Sequence, residues 1–130
     1  MTDRELISMA VSAMENSYSP YSRFPVGAAI ECSDGTVFTG CNIENAALGS
    51  TVCAERVALF TAVAAGRRSF RRIAITSNGS SYCYPCGACR QVLVEFAPDI
   101  EVLCARADGR YVSYRLNSLL PLAFTSASTD

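Results

Sequence analysis

Residues 26–41, Val26-Gly27-Ala28-Ala29-Ile30-Glu31-Cys32-Ser33-Asp34-Gly35-Thr36-Val37-Phe38-Thr39-Gly40-Cys41, read as two short strands folded back on a tight turn. Apolar residues run from Val26 to Cys32, Ser33-Asp34-Gly35 supplies the turn, and Val37 to Cys41 returns. A lone hairpin is not stable in water, so the rest of the chain must pair with it and cover it. Upstream, Thr2-Asp3-Arg4-Glu5 has the form of a capping box, with Thr2 at the cap and Glu5 three residues on. Leu6, Met9, Ala10, Ala13 and Met14 then recur at helical spacing, which predicts a helix to about Asn16, broken by Ser19-Pro20-Tyr21-Ser22.

Downstream, residues 42–50 have no clean period and read as a loop. Thr51 is placed to cap a helix running through Val63, with Gly66 as its stop. Arg72 to Ser77 reads as a strand, Asn78 to Tyr84 as a polar loop, and Pro85 as the opening of a helix to about Phe96. Ile100 to Ala105 and Tyr111 to Arg115 are strands joined across Asp108-Gly109, and Asn117 or Ser118 starts a last helical turn before Pro121. This order predicts a single α/β domain over residues 1–130, with three α/β/α layers around one mixed five-stranded sheet, an antiparallel hairpin plus parallel strands. The middle strand–helix–strand–helix–strand portion favours parallel pairing with right-handed crossovers.

Composition narrows the function. The chain has 130 residues, 50% of them hydrophobic and 18% charged, enough apolar matter for a packed core and too little charge for a disordered segment. A formal net charge of −1 gives no electrostatic footprint for nucleic acid. No apolar run approaches the roughly 18 residues a membrane span needs, and the opening MTDRELISMA lacks a signal-peptide pattern. The expectation is a cytoplasmic protein with neither nucleic acid nor membrane as partner. The run Arg67, Arg68, Arg71, Arg72 follows a helix end, where solvated positive charge complements the dipole. There is no His, which excludes a histidine base, Ser-His or Cys-His catalysis, and any imidazole metal ligand.

Seven Cys remain to be explained. Cys32, Cys41 and Cys104 fall on strands and read as small apolar core residues. Cys86 and Cys89, in Pro85-Cys86-Gly87-Ala88-Cys89, stand three apart at a helix start, and Cys53 takes the matching place before the preceding helix. Thiols at helix N-termini are biased toward thiolate. Three of them brought together suit a tetrahedral zinc ion with one position open, the arrangement in which the metal lowers the pKa of a bound water. Glu55, two residues after Cys53, does not share its helix face, so it suits proton transfer better than ligation. On spacing alone, two other readings stay open: a closed structural zinc site with Cys83 or Cys41 as fourth ligand, and a CxxC redox pair.

Five blocks in order carry a resemblance over nearly the whole chain: Tyr21-Ser22-x-Phe24-x-Val26-Gly27-Ala28-Ala29, Gly40-Cys41-Asn42-Ile43-Glu44-Asn45, Cys53-Ala54-Glu55-Arg56, Pro85-Cys86-Gly87-x-Cys89-Arg90-Gln91 and Leu119-Leu120-Pro121-x-Ala123-Phe124. Together they resemble the small homotetrameric zinc-dependent cytidine deaminases, in the all-cysteine form of the zinc deaminase signature. The resemblance implies one Zn²⁺ per chain on Cys53, Cys86 and Cys89. It implies Glu55 as the acid–base group in deamination of free cytidine and 2′-deoxycytidine to the uracil nucleosides and ammonia, within pyrimidine salvage. It further implies Asn42 and Glu44 on the ribose hydroxyls, Phe24 against the base, and the main chain of Ala54 and Cys86 on the base edge. Phe124 would reach the base of a neighbouring subunit, so that a homotetramer shares its active sites. Arg56 would draw charge from the ligand sulfurs. Two positions depart from the family: Leu48 stands where a Tyr near the sugar is usual, and Tyr84 replaces a small hydroxyl residue. The Leu48 departure leaves deamination of another cytosine nucleoside, of the antibiotic type, as an alternative.

Overall fold

In the computed structural model, which describes residues 1–129, the hairpin forms where the sequence places it. Strand β1 (Val26–Cys32) pairs antiparallel with β2 (Val37–Cys41), Gly27 opposite Cys41 and Glu31 opposite Val37. Gly35 turns the chain with φ of +90°, a conformation that costs glycine little and other residues much more. The other elements are α1 (Asp3–Met14), α2 (Ala54–Ala64), β3 (Phe70–Ser77), α3 (Gly87–Phe96), β4 (Glu101–Ala105), β5 (Tyr111–Arg115) and the single turn α4 (Leu116–Leu119).

The five strands form one mixed sheet in the order β2-β1-β3-β4-β5. Only β3 and β4 pair in parallel, from Arg72 opposite Glu101 to Ile75 opposite Cys104. The parallel pairing expected through the whole middle portion stops there, because β1 lies between β2 and β3 and is antiparallel to both. A second antiparallel pair, β4 with β5, closes the other edge.

Alternation along the strands builds the three layers. Ala28, Ile30, Cys32, Ile73, Ile75, Val102 and Cys104 point to one face, where Ala58, Leu59 and Ala62 of α2 and Leu93 and Val94 of α3 cover them. Ala29, Ala74, Leu103 and Ala105 point to the other, under Leu6, Ile7 and Ala10 of α1. Cys32 and Cys104 are core residues as expected, whereas Cys41 is only half-buried. The cap of α1 is also as expected, since Glu5 N donates to Thr2 Oγ1 at 3.1 Å.

Several boundaries differ from the sequence reading. Cys53, not Thr51, is the N-cap of α2, and Thr51 instead accepts from Asn45 N at 3.2 Å within the preceding loop. Cys86, not Pro85, caps α3. Strand β3 begins two residues early at Phe70, α1 ends at Met14, and Leu116 rather than Asn117 or Ser118 starts α4. Each difference lies within the few residues by which local signals leave an element end undetermined.

One close approach fixes α2 on the sheet. A Cβ at Gly40 would lie 2.5 Å from Ala58 N and 2.7 Å from Ala54 O, both backbone atoms. Gly40→Ala is therefore expected to cost about 2–3 kcal/mol of stability, read from urea unfolding, through overpacking against a rigid neighbour. Because the displaced turn carries Cys53 and Glu55, turnover should fall with it.

Candidate active site

The N-termini of α2 and α3 meet at the end of the sheet marked by Val26 and Ser77. Cys53 and Cys86 occupy the N-cap positions, and neither helix has a side-chain oxygen on its first free N–H groups. Sulfur thus stands where a capping oxygen normally would, at the positive end of each helix. Cys89, one turn into α3 and buried, completes the group. The sulfurs of Cys53 and Cys86 are 3.7 Å apart, those of Cys86 and Cys89 3.4 Å, and all three lie within 4.8 Å of one another.

These distances fit a metal. Zn–S bonds of about 2.3 Å at tetrahedral angles place ligand sulfurs about 3.8 Å apart. The group holds three donors among the described residues, with neither Cys41 nor Cys83 in it, so the closed four-cysteine reading lacks its fourth ligand. Glu55 is likewise outside the donor group, in keeping with a proton-transfer role. Cys83 and Cys104 are instead buried thiols, pushed up by desolvation to about 12 and about 11 respectively.

The electrostatics follow from the neighbours. Hydrogen bonding from the Cys89 thiol and then from the Arg56 guanidinium brings Cys53 down to about 5, and the same contact raises Cys89. Arg56 Nη2 lies 3.6 Å from Cys53 Sγ and 3.4 Å from Thr51 O, which sets its charge against the sulfur. Glu55 is only 3% exposed, and burial pushes its carboxyl up to about 7, with the negative Cys53 adding to the rise. A carboxyl titrating near neutrality can both take and give a proton.

A cavity of about 280 Å³ opens over this group and is lined by Phe24, Asn42, Glu44, Cys53, Ala54 and Glu55, with Tyr84 and Cys86 at its walls. Asn42 and Glu44 have a structural purpose that sequence reasoning missed. Asn42 Oδ1 accepts from Val26 N at 2.9 Å and from Ser17 Oγ, while its amide donates to Phe24 O at 2.9 Å. The Glu44 carboxylate accepts from Tyr21 N and Ser22 N at 2.9 and 3.1 Å and from Ser22 Oγ, which holds it below the usual carboxylate range. Both residues therefore clamp the 17–26 segment that presents Phe24, each with capacity for one further bond toward the cavity. The Ser-rich run 17–22 was the available signal.

Phe124 and Leu48 fall outside the cavity. Phe124 is 64% exposed, tied only through its carbonyl to Gln91 Nε2 at 2.8 Å, and does not reach its own chain's cavity. Leu48 is 70% exposed on a short 3₁₀ turn. Tyr84 has a neighbour across the cavity wall, its ring 6.3 Å from that of Tyr114 on β5.

Comparison with known proteins follows the same lines. The family profile described as the cytidine and deoxycytidylate deaminase zinc-binding region matches residues 1–105. A cytidine deaminase from Halalkalibacterium halodurans is 48% identical over 126 residues, covering 95% of this chain and 96% of its own. The crystal structure of a cytidine deaminase from Burkholderia pseudomallei superposes with a TM-score of 0.93 at 47% identity, covering 95% of this chain and all of that one. A blasticidin-S deaminase from Bacillus cereus is 31% identical over 131 residues, covering 95% of this chain and 92% of its own.

Proposed function

This chain belongs to the family of cytidine and deoxycytidylate deaminases that carry a zinc-binding region, and on that footing we propose that it hydrolyses cytidine and 2′-deoxycytidine to uridine and 2′-deoxyuridine plus ammonia. The observation that carries the reading is three cysteine sulfurs converging at two helix tips beside a buried Glu55. Cys53, Cys86 and Cys89 would hold one Zn²⁺ per chain, which supplies Lewis acidity to activate water at neutral pH. Glu55 takes the proton of the attacking water, delivers it to the ring nitrogen, and later passes a proton to the departing amino group. Phe24 packs against the base, Asn42 and Glu44 bond the sugar hydroxyls with their spare donor and lone pair, and the main chain at Ala54 and Cys86 meets the base edge. Excluding bulk water, the buried carboxyl keeps its protons for substrate.

Zinc content and turnover measured together test this. One zinc per chain with loss of cytidine absorbance on mixing supports the deaminase. Tight zinc without turnover would favour a structural metal module, and a metal-free protein forming a reversible Cys86–Cys89 disulfide would favour redox chemistry. A second substrate reading rests on Leu48 and on the similarity to a blasticidin-S deaminase. Steady-state rates on cytidine against blasticidin S separate the two.

Arg56 acts through Cys53. Arg56→Ala is expected to lower turnover tenfold or more while zinc content stays near one, since groups that hold metal ligands typically contribute about 10- to 100-fold; wild-type turnover in the zinc-loaded variant would refute the role.

Residues 1–130 would act as one domain in a homotetramer whose subunits share active sites, a reading supported by exposed apolar side chains at Leu48, Phe60, Leu122 and Phe124. Light scattering is expected to give four chains per particle, and a single-chain mass would leave Phe124 without a role. No helix among the described residues is long and apolar enough to cross a membrane. The setting that fits is nucleoside salvage in the cytoplasm.

A further inference from the structure

The fold splits the arginine run of residues 67–72 into two groups. Arg72 is committed to Asp3 and Glu31, and Arg67 pairs with Asp34. Arg68 and Arg71 have no carboxylate partner among the described residues, and at an open groove of about 450 Å³ they meet Arg115, which has none either. Each guanidinium uses one nitrogen on backbone carbonyls. Arg68 Nη1 donates to Val63 O and Arg67 O at 2.8 and 2.9 Å, Arg71 Nη2 to Ser33 O at 3.1 Å, and Arg115 Nη1 to Asp99 O at 3.1 Å. Those bonds fix the side chains at one nitrogen and leave most of the five N–H groups of each fork unspent.

The groove collects positive charge that the whole chain lacks. Its charged residues are the three arginines and Asp99, a formal +3 − 1 = +2, in a chain of net charge −1. Asp99 Oδ1 accepts from Asn117 Nδ2 at 3.0 Å, so part of its carboxylate is already satisfied. The hydroxyls of Ser33 and Ser69, 2.6 Å apart, sit in the same lining, and Phe70 and Phe96 provide an apolar wall. The groove is also remote from the cysteine site. It lies at the Ser33–Phe70 end of β1 and β3, whereas the cavity over Cys53 opens at Val26 and Ser77, on the order of 20 Å away along the strand.

We propose that this groove is a second ligand site, taking a compact polyanion of the di- or triphosphate class, either free or as the phosphate tail of a nucleotide. Planar guanidinium forks match phosphate oxygens two at a time, and three of them around one open groove can engage adjacent phosphates together. A nucleic-acid strand is disfavoured, because the groove's positive charge rests on three arginines and the chain as a whole is slightly acidic.

Calorimetric titration of the zinc-loaded protein with pyrophosphate tests the site. Binding with Kd of about 1 mM is expected at 20 mM salt, weakening severalfold at 0.3 M NaCl as screening grows. The Arg68→Gln/Arg71→Gln/Arg115→Gln variant should bind at least tenfold more weakly while turning over cytidine at the wild-type rate. The single Arg71→Gln variant, expected to lose about threefold, serves if the triple variant does not fold. Adenosine 5′-triphosphate identifies the source: tenfold tighter binding than pyrophosphate assigns the apolar wall to a nucleotide base, and equal affinity assigns the site to the phosphates alone. No binding to wild type below 10 mM, or equal binding by wild type and variants, would overturn the proposal.

Discussion

Glu55→Gln is expected to lower kcat on cytidine by about 10³- to 10⁴-fold, the upper range for loss of a positioned acid–base group. Zinc content should stay at one per chain, because Glu55 lies outside the three-sulfur donor group. Glutamine keeps the shape and fills the same buried space, so the loss isolates proton transfer from packing. KM should change far less than kcat, since the carboxylate acts on protons in flight more than on the bound sugar. Equal loss of zinc and turnover would mean that Glu55 holds the metal. Stability should move the other way. The carboxyl is raised to about 7 by burial, so its penalty on the folded state builds up as pH rises from the ordinary carboxylate value of 4.5 to about 7 and is complete above that. In the metal-free chain Glu55→Gln is therefore expected to melt higher than wild type above pH 7, a shift that differential scanning would record.

Arg72→Ala is expected to cost about 3–5 kcal/mol at pH 7, the scale for stranding a buried charge. Arg72 Nε donates to Glu31 Oε1 at 2.8 Å, Nη1 to Asp3 Oδ1 at 2.6 Å, and Nη2 to Met1 O at 2.7 Å, so one guanidinium ties β1, β3 and the start of α1 together. Glu31 is 2% exposed and points to the α1 face of the sheet. Hydrogen bonding to Arg72 holds its carboxyl below the ordinary value despite burial. The sign follows from that lowering: the pair contributes its stability above the unfolded carboxylate pKa and loses it as pH falls through the folded value. Without Arg72, burial, the larger remaining influence, is opposed only by the weaker attraction of Arg71 and the N-terminal amine, so the variant's deficit should be largest near neutrality and shrink toward pH 4. Urea unfolding at pH 7 and pH 4 reads both. A deficit equal at the two pH values would place the loss in packing.

Sequence patterns located every strand and long helix because local chemistry decided them. Asp34-Gly35 sets the hairpin turn, and the helical spacing of Leu6, Met9, Ala10, Ala13 and Met14 located α1. The structure buries Leu6, Ile7 and Ala10 and leaves Met9, Ala13 and Met14 only half-buried. The cysteine triad and Glu55 were legible for a similar reason, since short spacings on two helix starts carry most of their geometry. The clamp formed by Asn42 and Glu44 was not, because their partners Ser17, Ser22 and Val26 lie 16 to 25 residues away. Nothing local says which loop a buried carboxylate will clamp.

Taken alone, the chain determined its elements, its layered α/β class and the donor types available: thiols and carboxylates, with no imidazole. Tertiary structure alone decided that β3 joins β1 instead of β2, which leaves one parallel pair, and that sulfurs 33 residues apart come within 3.7 Å. It also decided which arginines find a carboxylate and which are left at a groove. Pairing order and charge partnering depend on contacts between distant segments, whose free energy comes from packing the whole sheet between its helices rather than from any single stretch.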